Sequence, residues 1–253
     1  MESIYDTPIL KDGRKLNALI IGGSGASGRE LIDHIFENPN YESITVLSRR
    51  RISRWENLPE NKLKKFIYIQ VENLDDVLDL EKNPEGYKKI IPEMNYDTLF
   101  CCLGSRSGRP DFIKVDLDFV VATAKITEMM KIHHLSVVSS QRASSDSWFN
   151  YLKTKGQAED VIMKIDIPCI SILKPGFITD RDESRTGEKI AKYLPFFDKI
   201  TSKNLGLAMM NMDLLVHLKE IKQKKKWEHK EIEEMAYMQP SGCCYKYKSI
   251  VRK

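Results

Sequence analysis

An apolar run that stops dead in glycines constrains this chain more than any other feature. Residues 18–28 read ALIIGGSGASG, with only small side chains between Gly22, Gly23, Gly25 and Gly28, and a helical pattern follows. A strand ending this way hands over to a helix N-terminus, whose unpaired N–H groups and dipole favour an anion. Gly22 permits the sharp turn out of the strand. Gly25 lets main-chain N–H groups approach a pyrophosphate, and Gly28 lets the helix pack against the strand. The spacing is GxxGxxG, and its place after a strand and before a helix reads as a dinucleotide-binding turn.

The same alternation continues downstream. Short apolar runs at 44–47, 66–71, 98–103, 135–138 and 169–173 predict five more strands, and helical spacing is expected over 29–36, 112–130 and 150–164. Strands alternating with helices imply an α/β fold, a Rossmann-type doubly wound parallel sheet with helices on both faces. Ligands then lie at the C-terminal ends of the strands. The pattern weakens after Gly176. Residues 1–253 therefore read as one NAD(P)-binding domain, with 177–253 expected to form a small C-terminal substrate or lid portion. Within that portion a helix is expected over 205–221, its methionines packing in the core or a lid, and Lys222 with Lys224–Lys226 is expected to be a solvated helix end.

Composition excludes several classes. A net charge of +4 is too small to argue for nucleic acid. The five cysteines include two adjacent pairs, 101–102 and 243–244, which is no disulfide framework and points to a reducing, cytoplasmic setting. Glu2, Asp6 and Asp12 do not suit a signal peptide. No apolar run reaches the roughly 18 residues of a membrane span. A soluble protein is expected, with peripheral membrane or nuclear association left open. The histidines show no ligand spacing and Cys101–Cys102 lie within a strand, so no metal is expected.

Two constellations carry chemistry. At the end of the second strand a carboxylate would select NAD by its ribose hydroxyl, whereas arginine suits a 2′-phosphate. No acid occurs from Ile44 to Trp55, but Arg49, Arg50 and Arg51 do, so the reading is NADP(H). Further on, Tyr151 and Lys155 are four residues apart, on one face of a helix that follows Ser139–Ser140 at a strand end. A cation near a phenol favours the phenolate, as a general acid or base for carbonyl chemistry requires. A strand-end serine can steady the oxygen.

These motifs together resemble the atypical short-chain dehydrogenase/reductases, more narrowly the Tat-interacting-protein oxidoreductases and related fungal mitochondrial Rossmann proteins. The resemblance runs over residues 18–190 through GGSGASG, LSRR, FCCLGS, VDLDFV, SS, YLKTKG, KPG and DRDESRTGE. It implies that Gly22, Ser24, Gly25, Ala26, Ser27 and Gly28 surround the pyrophosphate, with Arg49 and Arg50 on the 2′-phosphate. It sets Cys102, Leu103 and Gly104 beside a cofactor ribose, and Glu72 where relatives keep an aspartate for the adenine amino group. Tyr151 would be the acid/base, Lys155 would hold the nicotinamide ribose, and Ser140 or Ser139 would be the serine, with Ser140 favoured. Pro175 and Gly176 would line the nicotinamide pocket. Arg106 and Arg109 fall in a polar loop that either borders the expected substrate mouth or is plain surface, and within 180–188 the acids and arginines either pair with one another or, with Arg185 facing the pocket, suit an anionic substrate. The implied function is NADPH-dependent reduction of an unspecified carbonyl, with protein partners possible. The alternative is an NADP(H)-binding regulatory or scaffold protein with little turnover.

Overall fold

The computed structural model describes Leu10 and residues 13–105, 109–180, 198–219 and 222–238. The strands are β1 (Leu16–Ile21), β2 (Tyr41–Ser48), β3 (Phe66–Gln70), β4 (Thr98–Cys101), β5 (His134–Val138), β6 (Cys169–Lys174), β7 (Phe177–Ile178), β8 (Lys199–Ile200) and β9 (Lys224–Glu228). Seven of them form one parallel sheet in the order β3-β2-β1-β4-β5-β6-β9, and β7 pairs with β8 separately. Sequence order reverses between β1 and β4, the point at which folds of this kind hold their ligand crevice beyond the strand ends. This is the doubly wound Rossmann-like architecture that the alternating pattern implies.

Parallel central strands are covered on both faces, so they read as continuous apolar runs. In β1, Ala18 and Ile20 enter one core and Leu19 and Ile21 the other, all fully buried. The first core is closed by α1 (Ala26–Glu37). Three short helices follow it in the chain: α2 (Glu60–Leu63), α3 (Asp75–Leu78) and α4 (Gly86–Ile90). The second core is closed chiefly by α5 (Phe119–Met129) and α6 (Asn150–Ile162), through residues such as Phe119, Ile126 and Ile162.

Beyond residue 177 the described elements join these same layers. Helix α7 (Ser202–Lys219) lies on α1, and its Met209, Met210 and Met212 are core residues. A Cβ on Gly206 would sit 2.6 Å from the Leu31 amide nitrogen, so the two helices meet backbone to backbone. Helix α8 (His229–Ala236) packs on α7. The basic run expected as a solvated helix end is instead the edge strand β9, in register with β6 from Ile170–Lys224 to Lys174–Glu228. Its ammonium groups are all engaged. Lys224 donates to the Ile165 carbonyl, Lys225 lies 4.1 Å from the Trp227 ring centroid, and Lys226 pairs with Glu159 at 2.9 Å. Lysines on an edge strand also discourage pairing with further strands.

Candidate cofactor and catalytic site

The glycine turn lies at the point of strand-order reversal. Gly22 has φ +86°, and a Cβ there would stand 2.8 Å from the Cys102 carbonyl carbon. Its N–H donates to Leu47, while the Cys102 N–H donates to Ile21, so the ends of β2, β1 and β4 are drawn together. At Gly28 a Cβ would come within 2.7 Å of the Gly22 carbonyl oxygen, which is the close helix-to-turn packing that only glycine permits. Helix α1 starts after Gly25 with no side-chain cap and no acid in its first turn. Its first N–H groups, at Ala26, Ser27 and Gly28, therefore suit a diphosphate. Ser24 accepts a hydrogen bond from Ser48 at 2.9 Å, fixing the turn to the end of β2.

Just past Ser48, Arg49 and Arg50 are exposed and pair with no acid among the described residues. Arg51 is committed elsewhere, donating to the Trp55 carbonyl and covering the Tyr68 ring. Glu72 is exposed beyond β3, and the N–H of neighbouring Val71 donates to the Ser48 carbonyl.

Across the crevice, Cys101 is buried and its thiol is pushed up to about 11 by that burial. The Cys102 thiol is pushed up as well, by burial and by the neighbouring Cys101, and both shifts favour the neutral thiol. Leu103 is buried and Gly104 exposed. A Cβ on Gly104 would lie 4.0 Å from Lys155 Nζ and 3.7 Å from Asp116 Oδ1. The loop after β4 and helix α6 thus meet at the crevice.

Tyr151 and Lys155 share the crevice face of α6, with Lys155 Nζ 5.7 Å from the Tyr151 ring centroid. Phe112 stacks on Tyr151 at 5.7 Å between centroids. Sequence reasoning singled out the lysine but not its counterion. Asp116, 1% exposed, lies 2.8 Å from Lys155 Nζ and accepts from both the N–H and the hydroxyl of Ser105. The carboxylate reaches this point from a π-helical turn, Lys114–Asp118, just before α5. The string VDLDFV does not disclose this pairing, since nothing local says which of its two acids turns inward.

The two serines differ. Ser139 is buried and donates to Glu159 Oε1 at 2.6 Å, so its hydroxyl is tied to the inner side of α6. Ser140 is half-buried, with a 3.4 Å contact to the Gln141 carbonyl. Glu159 is the second residue missed, and it lies four positions beyond Lys155 on the same helix face. Pro175 accepts from the Gln141 N–H, and the Gly176 N–H donates to His229 Nδ1. Arg109 pairs with Asp111 on the surface. Asp180 accepts from the N–H and hydroxyl of Ser202 at the start of α7. Arg106 and the rest of DRDESRTGE, Arg185 included, lie outside the described residues.

No protein-family model matches the chain. It is similar to Protein HTATIP2 of Rattus norvegicus, 29% identical over 180 residues, covering 70% of this chain and 69% of the relative. Protein FMP52, mitochondrial, of Kluyveromyces lactis is 27% identical over 191 residues, covering 74% and 75%. Among solved structures, the Bordetella bronchiseptica enzyme WbmG in complex with NAD shares the fold at TM-score 0.59 and 16% identity, over 86% of this chain and 73% of that one. The oxidoreductase ylbE from Lactococcus lactis matches at TM-score 0.59 and 15% identity, over 88% and 98%.

Proposed function

We propose that this chain, which is an HTATIP2-like atypical short-chain dehydrogenase/reductase, is an NADP(H)-dependent oxidoreductase reducing the carbonyl of a small molecule. The observation that carries the reading is the meeting of Lys155 with the loop at Gly104, since it sets the Tyr151 face of α6 against the crevice that the glycine turn opens.

Gly22, Ser24, Gly25, Ala26, Ser27 and Gly28 would hold the diphosphate, with Arg49 and Arg50 on the 2′-phosphate and Glu72 toward the adenine. Cys102, Leu103 and Gly104 would flank a ribose, and Pro175 with Gly176 would border the nicotinamide, which supplies the hydride when bound. The chain's own work is positional and protonic. Tyr151 gives its hydroxyl proton to the carbonyl oxygen, Ser140 donates a hydrogen bond to the same oxygen, and Lys155 grips ribose hydroxyls while Asp116 keeps its ammonium in place. Ser139 supports from behind through Glu159. In this reading the domain is single, and the stretch after 177 supplies the substrate side. We place the protein in the cytoplasm, in keeping with the unpaired thiols of Cys101, Cys102 and Cys169.

Binding and turnover separate the parts of the proposal. Tyr151→Phe should bind NADPH as wild type does and lose about 10²–10⁴-fold in turnover over a carbonyl panel. Equal turnover by both proteins would remove Tyr151 from catalysis, and no turnover by either would count against an enzyme. Replacing Arg49 and Arg50 by alanine should weaken NADPH roughly tenfold to hundredfold while sparing NADH. An unchanged preference would overturn the NADP(H) assignment.

A further inference from the structure

At the opposite edge of the sheet, far from the glycine turn, three strand starts and one helix bring together a polar cluster that the reductase reading does not use. His134 opens β5, Thr98 opens β4 and Tyr41 opens β2, while Asp213 and His217 stand one turn apart on α7. Asp213 and His134 are fully buried, and the His217 side chain is 4% exposed.

The carboxylate is crowded on one side. Its Oδ1 lies 2.5 Å from Thr98 Oγ1, 2.7 Å from His134 Nδ1 and 3.3 Å from His217 Nε2, while Oδ2 accepts from the Tyr41 hydroxyl at 2.6 Å. Three polar atoms thus converge on an oxygen with two lone pairs. No lysine or arginine pairs with Asp213 among the described residues, so the imidazoles are the only nearby groups that could balance its charge. A cation between the two nitrogens and the oxygen would answer both the crowding and the charge.

We propose that His134, Asp213 and His217 form a divalent transition-metal site of the zinc class, fastening α7 to the N-terminal edge of the sheet. One nitrogen from each histidine and one carboxylate oxygen lie within 4.8 Å of one another. Zinc takes such N and O donors at about 2.0–2.2 Å in a tetrahedron, so small side-chain adjustments suffice. Thr98 Oγ1, 2.8 Å from His217 Nε2, or a water would complete the set. His134 Nε2 is hydrogen-bonded to Ser171 at 3.0 Å, the outer contact that orients a metal-bound imidazole. The half-buried His133, whose ring lies 5.7 Å from that of His217, marks the side from which an ion would enter. The buried setting and the distance from the crevice assign the ion a structural role.

The test uses the full chain without a histidine tag, stripped by chelator and then titrated with Zn²⁺. Uptake of one equivalent with a rise in melting temperature is expected, and no saturable uptake overturns the proposal. Co²⁺ in place of Zn²⁺ should give visible bands of tetrahedral nitrogen/oxygen coordination. A thiolate charge-transfer band would assign the ion to cysteines and overturn it. His217→Ala and His217→Gln should lose the uptake and the melting shift, and binding unchanged in a folded variant overturns the proposal. X-ray absorption at the zinc edge of the wild type needs no variant. Two imidazoles in the first shell are expected, and none or one refutes the site.

Discussion

The two edges of the sheet are built on opposite principles. At the C-terminal edge glycines replace side chains, a helix begins without a cap, and two arginines stand exposed beyond a strand end. At the N-terminal edge every polar group of the Asp213 cluster is closed in upon another. Burial pushes the Asp213 carboxyl up, but the facing imidazoles of His217 and His134 outweigh it and hold the group well below the usual carboxylate range. Polar groups that face only one another fasten the fold, by themselves or around an ion, whereas those left open are available to a nucleotide. Asp116 and Lys155 belong to both kinds, since they form a buried ion pair on the wall of the open crevice.

Stability measurements should divide along this line. In the metal-free protein Asp213→Ala is expected to have the largest effect, about 3–5 kcal/mol by denaturant unfolding, because it strands the Tyr41 and Thr98 hydroxyls and the His134 imidazole in the interior. A loss below about 1 kcal/mol would show that the cluster is hydrated. Asp116→Ala should cost somewhat less, roughly 2–4 kcal/mol, by leaving the Lys155 ammonium without its carboxylate. It should also lower turnover, which Asp213→Ala in its folded fraction should not. Tyr41→Phe removes one hydrogen bond to a buried carboxylate and should cost about 1.5–3 kcal/mol. Removing Arg49 and Arg50 together is expected to change stability least, within about 0.5 kcal/mol. A large loss there would mean that these arginines serve the fold, and the contrast between the edges would fail.

Much of the open edge was legible in the sequence because its signals are local. ALIIGGSGASG carries strand, turn and helix start in eleven consecutive residues, and Tyr151 with Lys155 needs only helical periodicity to share a face. The closed edge was not legible. His134 and Asp213 are 79 positions apart, and only the crossing of α7 over the strand starts unites them. The Lys155–Asp116 and Ser139–Glu159 pairs escaped for the same reason, since each joins two elements. Strand β9 was hidden by composition. Lys224, Lys225 and Lys226 show no apolar alternation, and their place in the sheet depends on acceptors in Ile165, Glu231 and Glu159 that belong to other segments.

The π-helical turn at Lys114–Asp118 has one more consequence. It holds one residue more than an α-helical turn would, and each residue of a helix advances it by about 100°. The widened turn absorbs its extra residue, so deleting a single position there would close it to an ordinary α-helical turn with both flanks kept in phase. The positions inside the turn, Asp116 among them, would change their facing toward Lys155. The phase of one widened turn sets which acid of VDLDFV faces the crevice, and a shortened variant that kept its melting temperature yet lost turnover would show this directly.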